Sequence, residues 1–434
     1  MPDRVVQRLT RPFTAEFAPP GSKSLTNRAL VLAAMADGIS ELSNCLFADD
    51  TLVMIDSLKR LGFVLDVDQA GRRIAVHGNS GRIPANSAEL ACGNSGTSIR
   101  FLTALCSLGR GRYLLDGVPR MRQRPIGQLV DMLRNLGVRI GYPADDGFPP
   151  VEVEADGLPG GITRFANAHS SQFLSAVLQV CPFAKHEVKV DLEGELTSWP
   201  YVGMTMQLMD HFGVMAELLR DSQTGRPKQI VVPREPYRAA RYHVEPDASN
   251  ASYFLALAAL HKGSKITLNG LGKSSLQGDV GFADVLQRMG AGLVFGRDFI
   301  TVLGADRLEG IDIDLRDMPD TAQTLAVVAL FAGGPTTIRG LHTLRVKETD
   351  RIAALAAELA KLGADVDVED DTLSIQPPEK FKAASIATYD DHRMAMSFAL
   401  AGTKVSGVTI QNAECVNKTY PGFFDDLARV SAEE

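Results

Sequence analysis

SLKRLG (Ser57–Gly62) ends an apolar run of helical period on a glycine. The same ending returns in MLRNLG (Met132–Gly137), LMDHFG (Leu208–Gly213), LQRMG (Leu286–Gly290) and LAKLG (Leu359–Gly363), at steps of 73 to 77 residues. Glycine best tolerates the left-handed conformation that closes a helix, so each ending reads as a helix C-terminus. Two alternating runs follow each one, as in Phe63–Asp68 and Arg73–His77, and these read as hairpins. A period of this size points to repeated supersecondary units.

A second series interleaves with the first. Leu25–Ala36, Ile99–Leu108, Phe173–Val180, Ser252–Leu260, Thr321–Phe331 and Met394–Ala401 are apolar on nearly every face. Such helices belong in a core, whereas the glycine-terminated ones carry charge on one side and lie half exposed. Each unit therefore reads as strand, buried helix, strand, surface helix, hairpin. Six copies are expected, three before RYHVEPDAS (Arg241–Ser249) and three after it, the last cut short at FFDDLARV (Phe423–Val430). This is an α/β chain of six βαβαββ units.

The 434 residues allow two cores, and 45% hydrophobic with 22% charged residues is ordinary for a soluble globular protein. Five cysteines without a C-x-x-C pair read as reduced thiols. The opening MPDRVVQRLTRPFTAEF lacks the apolar stretch of a secretory signal, and no run approaches the roughly 20 residues of a membrane span. A cytoplasmic location and no membrane partner are expected. A net charge of −7 argues against general nucleic-acid binding, so any anion site is a local positive patch.

Small polar or acidic residues precede every buried helix: Gly21–Ser24, Gly93–Gly96, His169–Gln172, Glu245–Asp247, Met318–Asp320 and Asp390–His392. All fit N-caps, and capping alone explains Asp247. In the first three, serines and glycines exceed what one cap needs, and exposed N–H groups at a helix start suit an anion. Lys23 and Arg28 add positive charge there. The loops before the surface helices read RMRQRPIG (Arg120–Gly127), TSWPYVG (Thr197–Gly203), SSLQGDVGF (Ser274–Phe282), RVKETDR (Arg345–Arg351) and VNKTYPG (Val416–Gly422). Basic residues recur in three of these five equivalent positions, which implies a substrate with several anionic groups.

Competing motifs fail. GLGKSS (Gly270–Ser275) lacks the first glycine of a nucleotide-triphosphate loop, Thr267 standing in its place. The eight histidines form no close pair, so no metal is expected, and no dinucleotide fingerprint exists, so no cofactor is expected.

PGSKSLTNRALVLAA (Pro20–Ala34), GNSGTSIRFL (Gly93–Leu102), RPIG (Arg124–Gly127), SSQFLSA (Ser170–Ala176), QGDVGFADVL (Gln277–Leu286), PDTAQTLA (Pro319–Ala326), RVKETDRI (Arg345–Ile352), DDHRMAMSFALAG (Asp390–Gly402) and NKTYPGFF (Asn417–Phe424) resemble the 5-enolpyruvylshikimate-3-phosphate synthase family. The resemblance implies the two-domain enolpyruvyl transferase fold, an inverse α/β barrel with three units per domain. It places residues 1–20 with 245–434 in a C-terminal domain and 21–244 in an N-terminal domain, with the active site in the interdomain cleft. It further implies transfer of the enolpyruvyl group of phosphoenolpyruvate to the 5-hydroxyl of shikimate 3-phosphate by addition and elimination. Those two small molecules are the expected partners of a monomer, and glyphosate the expected inhibitor.

Residue by residue, the resemblance makes Asp320 the base, Glu348 the proton-exchanging group and Lys23 a further acid. Lys23, Gly96, Arg124, Gln172, Arg351, Arg393 and Lys418 match the phosphoenolpyruvate site. Lys23, Ser24, Arg28, Ser170, Ser171, Gln172, Ser198, Tyr201, Asp320, Thr343 and Lys347 match the shikimate-phosphate site. Asp320 also stands where a helix N-cap would, and His392 reads as structural. The chain departs from the family at Thr343, where many members have asparagine, and at Phe101, where many have proline.

Two rivals share these features. The UDP-N-acetylglucosamine enolpyruvyl transferases have the same fold and donor, but their corresponding loop carries a reactive cysteine, absent from Val118–Arg124. A non-catalytic phosphometabolite-binding protein would keep the cations but has less need of both Asp320 and Glu348.

Overall fold

The computed structural model describes residues 2–166 and 170–430. His169 of the third helix-start motif lies outside them. The chain divides into two compact units, one of Gly21–Val244 and one of Met1–Pro20 with Glu245–Glu434.

The helices form where expected and end for the expected reason. Gly62, Gly137, Gly213, Gly290 and Gly363 all have positive φ, between 88° and 111°, as a left-handed helix terminus requires. The apolar segments form the helices Lys23–Met35, Gly96–Cys106, Gln172–Val180, Ala248–Leu260, Ala322–Ala329 and His392–Lys404. In the second unit Ala248–Leu260, Ala322–Ala329 and His392–Lys404 pack on one another, and every residue of Ala248–Leu260 is buried. Taking a side chain such as Phe254 or Leu257 out of water stabilises by about 1.5–3 kcal/mol, so this interior holds the unit together.

Among the described residues six sheets match the six repeats. In the second repeat Ser87–Ala91 runs parallel to Arg110–Asp116, bridged by the Gly96–Cys106 helix as a parallel pair demands. Val151–Asp156 then pairs antiparallel with Arg110–Asp116 and carries Arg139–Gly141 at the edge. The third and fifth repeats copy this order from contiguous segments.

The other three repeats depart from the contiguous units that the periodicity implied. The strand before the Lys23–Met35 helix, Thr14–Phe17, is parallel to Lys265–Asn269 and belongs to the fourth repeat. Its expected place beside Asp37–Ser43 is taken by Arg241–His243. The two passages between units thus exchange strands. The sixth repeat is completed as well: Arg4–Val5 pairs antiparallel with Thr409–Ile410 in the place a hairpin strand holds elsewhere. Among the described residues no helix is long and apolar enough to cross a membrane.

Candidate active site

In the unit containing Glu245–Glu434, four cations and three carboxylates share one network. The Arg351 side chain is 1% exposed at the start of the Arg351–Lys361 helix, whose N-cap Asp350 accepts from the Ile352 and Ala353 N–H groups. Its guanidinium donates to Asp391 from Nε at 2.7 Å and from Nη2 at 3.2 Å. It also donates to Glu348 at 2.9 Å and to Asp320 at 3.2 Å. Burial works against its charge, but Asp391, Glu348 and Asp320 outweigh burial and hold its pKa above the ordinary arginine value.

Arg393 closes the network from the His392–Lys404 helix, donating from Nη2 to Asp320 Oδ2 at 2.9 Å and from Nη1 to the Asp320 carbonyl and the Tyr253 hydroxyl. Lys347 Nζ lies 3.8 Å from Asp320 Oδ1, and Lys418 Nζ lies 3.9 Å from Glu348 Oε1. Asp320 is not the N-cap that its position suggested. Thr321 holds that place, and the Asp320 carboxylate turns to the two arginines. It remains 18% exposed, so a bound hydroxyl can reach it. His392 is fully buried, its Nδ1 3.6 Å from Asp391. Thr343 is buried and its Oγ1 has no hydrogen-bond partner among the described residues.

The unit of Gly21–Val244 carries the other matched residues at its helix starts. Lys23 Nζ is 3.3 Å from buried Asp50, and Ser22 caps the helix by accepting from the Leu25 N–H. The Asp50 carbonyl accepts from Ser98 Oγ at 3.1 Å, tying Lys23 to the helix that begins at Gly96. Arg28 donates to the Thr205 and Ser175 hydroxyls and to the Ser24 and Tyr201 carbonyls. Burial, with no carboxylate partner among the described residues, pulls its pKa down to about 10, so it stays charged near neutrality.

Ser171 and Ser198 stand at the N-caps of the Gln172–Val180 and Trp199–His211 helices, Ser198 in the left-handed region at φ 55°. Arg100 joins Ser170 and Gln172, donating at 3.3 and 2.7 Å, and reaches the Pro125 carbonyl beside Arg124 at 3.1 Å. Gln172 donates in turn to Thr97 at 3.2 Å. Phe101 departs from the family without breaking its helix: it is buried, and the Arg28 guanidinium lies 5.1 Å from its ring centre.

The sequence reading missed Asp391, Arg100 and Asp50 as parts of these clusters. Asp391 looked like a cap, which it also is, accepting from the Arg393 N–H at 2.9 Å. The signal available for Arg100 was its spacing, four residues after Gly96 on one helix, which puts both on one face.

Gly96 adjoins Arg124. A Cβ at Gly96 would lie 2.6 Å from Arg124 Nη2, while Arg124 Nη1 donates to the Asn94 carbonyl at 2.9 Å. Gly96→Ala therefore shifts the guanidinium rather than the backbone. The expected result is a melting temperature within about 3 °C of wild type, the change being below roughly 1 kcal/mol, and, if Arg124 helps form the phosphoenolpyruvate site as the resemblance implies, weaker phosphoenolpyruvate binding and weaker inhibition by glyphosate. Unchanged constants for both would mean that Arg124 does not hold that site.

Comparison with known proteins places this arrangement. Residues 8–427 match the family model of EPSP synthase (3-phosphoshikimate 1-carboxyvinyltransferase). The chain is 45% identical over 415 residues to a 3-phosphoshikimate 1-carboxyvinyltransferase of Sulfurovum sp. (strain NBC37-1), covering 95% of this chain and 96% of the relative. A protein of the same description from Shewanella denitrificans is 45% identical over 417 residues, covering 95% and 96%. Among solved structures, EPSP synthase of Acinetobacter baumannii superposes with a TM-score of 0.81 at 26% identity, covering 99% of this chain and 98% of that one. The enolpyruvyl transferase NikO of Streptomyces tendae, at 20% identity and a TM-score of 0.75 over 99% and 97%, shares the fold. With a match across nearly its whole length and close to half its residues identical to such relatives, the chain belongs to the EPSP synthase family.

Proposed function

We propose that Asp320, Glu348 and Lys23 carry the proton transfers of this family's reaction. The reaction is transfer of the enolpyruvyl group of phosphoenolpyruvate to the 5-hydroxyl of shikimate 3-phosphate, with release of phosphate. The hydroxyl oxygen bonds to C2 of the donor, the hydroxyl proton leaves, and C3 gains a proton. The tetrahedral adduct then loses phosphate from C2 and a proton from C3, restoring the double bond.

The observation that carries the assignment is the part-exposed Asp320 carboxylate held between Arg351 and Arg393. In this reading Asp320 takes the hydroxyl proton, Glu348 exchanges the proton at C3, and Lys23 is a further acid. Arg124, Arg351, Arg393, Lys418, Gln172 and the Gly96 helix start hold the donor's phosphate and carboxylate. Ser24, Arg28, Ser170, Ser171, Ser198, Tyr201, Thr343 and Lys347 hold shikimate 3-phosphate. Fixed cations suit charge that moves from carboxylate and hydroxyl to departing phosphate, because they need not reorganise during the step.

A cytoplasmic location belongs to the same proposal, supported by five buried cysteines that form no disulfide, and so does a monomeric state, which rests on the family resemblance alone. Purified protein is expected to release phosphate from phosphoenolpyruvate only when shikimate 3-phosphate is present. Release with UDP-N-acetylglucosamine in its place would overturn the assignment.

A further inference from the structure

Tyr389 and Asp390 are consecutive non-glycine residues in the left-handed region, at φ 54° and 55°. An aspartate tolerates that conformation; a bulky aromatic residue there is a true outlier and is strained. The turn they make is the approach to Asp391 and Arg393, the two residues that grip Arg351 and Asp320. A strained turn persists only where its surroundings over-determine it.

Those surroundings centre on Glu358, fully buried on the Arg351–Lys361 helix. Its Oε1 accepts from the Tyr389 hydroxyl at 2.7 Å and its Oε2 from the Ala387 N–H at 3.0 Å. Lys361 Nζ neutralises it at 2.7 Å. Burial and the Glu358 carboxylate push the Tyr389 phenol up to about 12, so it remains a donor. On the far side, Asn412 Nδ2 donates to Asp390 Oδ1 at 3.3 Å. Glu358 follows Arg351 by seven residues, two helical turns or roughly 10 Å along the axis, on the same buried face. One helix therefore grips the segment 387–391 at both ends, through Glu358 at the start and Arg351 at the end.

We propose that Glu358 is a positioning residue for the donor site, fixing the Tyr389–Asp390 turn so that Asp391 and Arg393 meet Arg351 and Asp320 in register. Its consequence for catalysis rests on the function proposed above, whereas the tether itself does not. Tyr389→Phe removes one hydrogen bond from a residue that is 43% exposed. Glu358→Leu removes both acceptors. Glu358→Gln keeps the tether, because its carbonyl accepts from Ala387 while its amide donates to the phenol oxygen.

Two measurements decide the matter. Hydrogen exchange of the peptide 387–393 is expected to speed up in Tyr389→Phe and Glu358→Leu and to stay near wild type in Glu358→Gln. In phosphate-release kinetics the first two variants lose about tenfold in kcat/KM for phosphoenolpyruvate, the size of a sub-ångström misplacement. KM for shikimate 3-phosphate stays within about twofold, and Glu358→Gln recovers most of the loss. Should Glu358→Leu not fold, Tyr389→Phe alone carries the test. Unchanged exchange in Tyr389→Phe overturns the tether. Faster exchange with unchanged donor kinetics overturns the positioning role. If wild type turns over neither substrate, the proposed function fails while the exchange data still judge the tether.

Discussion

Asp320→Asn is expected to lower kcat about 10²–10⁴-fold, the usual cost of losing a positioned general base. Binding should survive the change. The amide keeps one acceptor for Arg351 or Arg393, and the guanidinium that loses its carboxylate is left more available to an anionic ligand. Donor affinity is therefore expected to hold or rise while turnover collapses. Single-turnover phosphate release together with calorimetric titration of each substrate separates the two effects. Turnover within a few-fold of wild type would remove Asp320 as the base, and collapse of both binding and turnover would make it a structural anchor instead.

Asp391→Ala is expected to cost about 3–5 kcal/mol of folding stability, the range for removing one partner of a buried ion pair. Arg351 and Asp391 are 1% and 0% exposed and joined by two hydrogen bonds, so the freed guanidinium has no water to replace its lost partner. Loss of the N-cap bond to Arg393 adds to the cost. The exposed pair Arg60–Asp56 is equally short at 2.6 Å, yet its removal should cost far less, because solvent screens it. Urea unfolding of both variants, followed by circular dichroism, makes the comparison. A loss below about 1 kcal/mol in Asp391→Ala would show that Glu348 and Asp320 satisfy Arg351 by themselves.

The parts of the fold governed by neighbouring residues were legible in the sequence. The five terminal glycines announced their helix ends because a left-handed residue is a local demand, and the six apolar helices announced burial by lacking a polar face. The exchanged strands were not legible in the periodicity, and only the family resemblance set residues 1–20 apart from 21–244. Arg241–His243 and Thr14–Phe17 alternate like other strands, and nothing in an alternating pattern names a partner some 200 or 250 residues away. The site divides in the same way. Lys23, Arg124 and Arg351 stood out as recurring cations at helix starts and loops, whereas Arg393 came only from the family resemblance. Asp391 looked like a cap and Glu358 was not singled out, since burial of a carboxylate depends on which helix covers it. For Glu358 the seven-residue spacing from Arg351 held a trace of its role.

The strand exchange sets an order on the ribosome. The unit of Gly21–Val244 is one uninterrupted stretch, and its last strand to emerge, Arg241–His243, pairs with Glu41–Ser43 already made. All three of its sheets can close once residue 243 is free. The other unit cannot finish then. Thr14–Phe17 waits for Lys265–Leu268, and Arg4–Val5 waits for Thr409–Ile410. At about 5–20 residues per second, the interval between residues 243 and 410 is roughly 10–30 s. Through that time the first segment of the nascent protein is tethered to a finished neighbour with its own strand edges unpaired. The brevity of Arg4–Val5, two residues long, leaves little edge for another chain to seize during the wait.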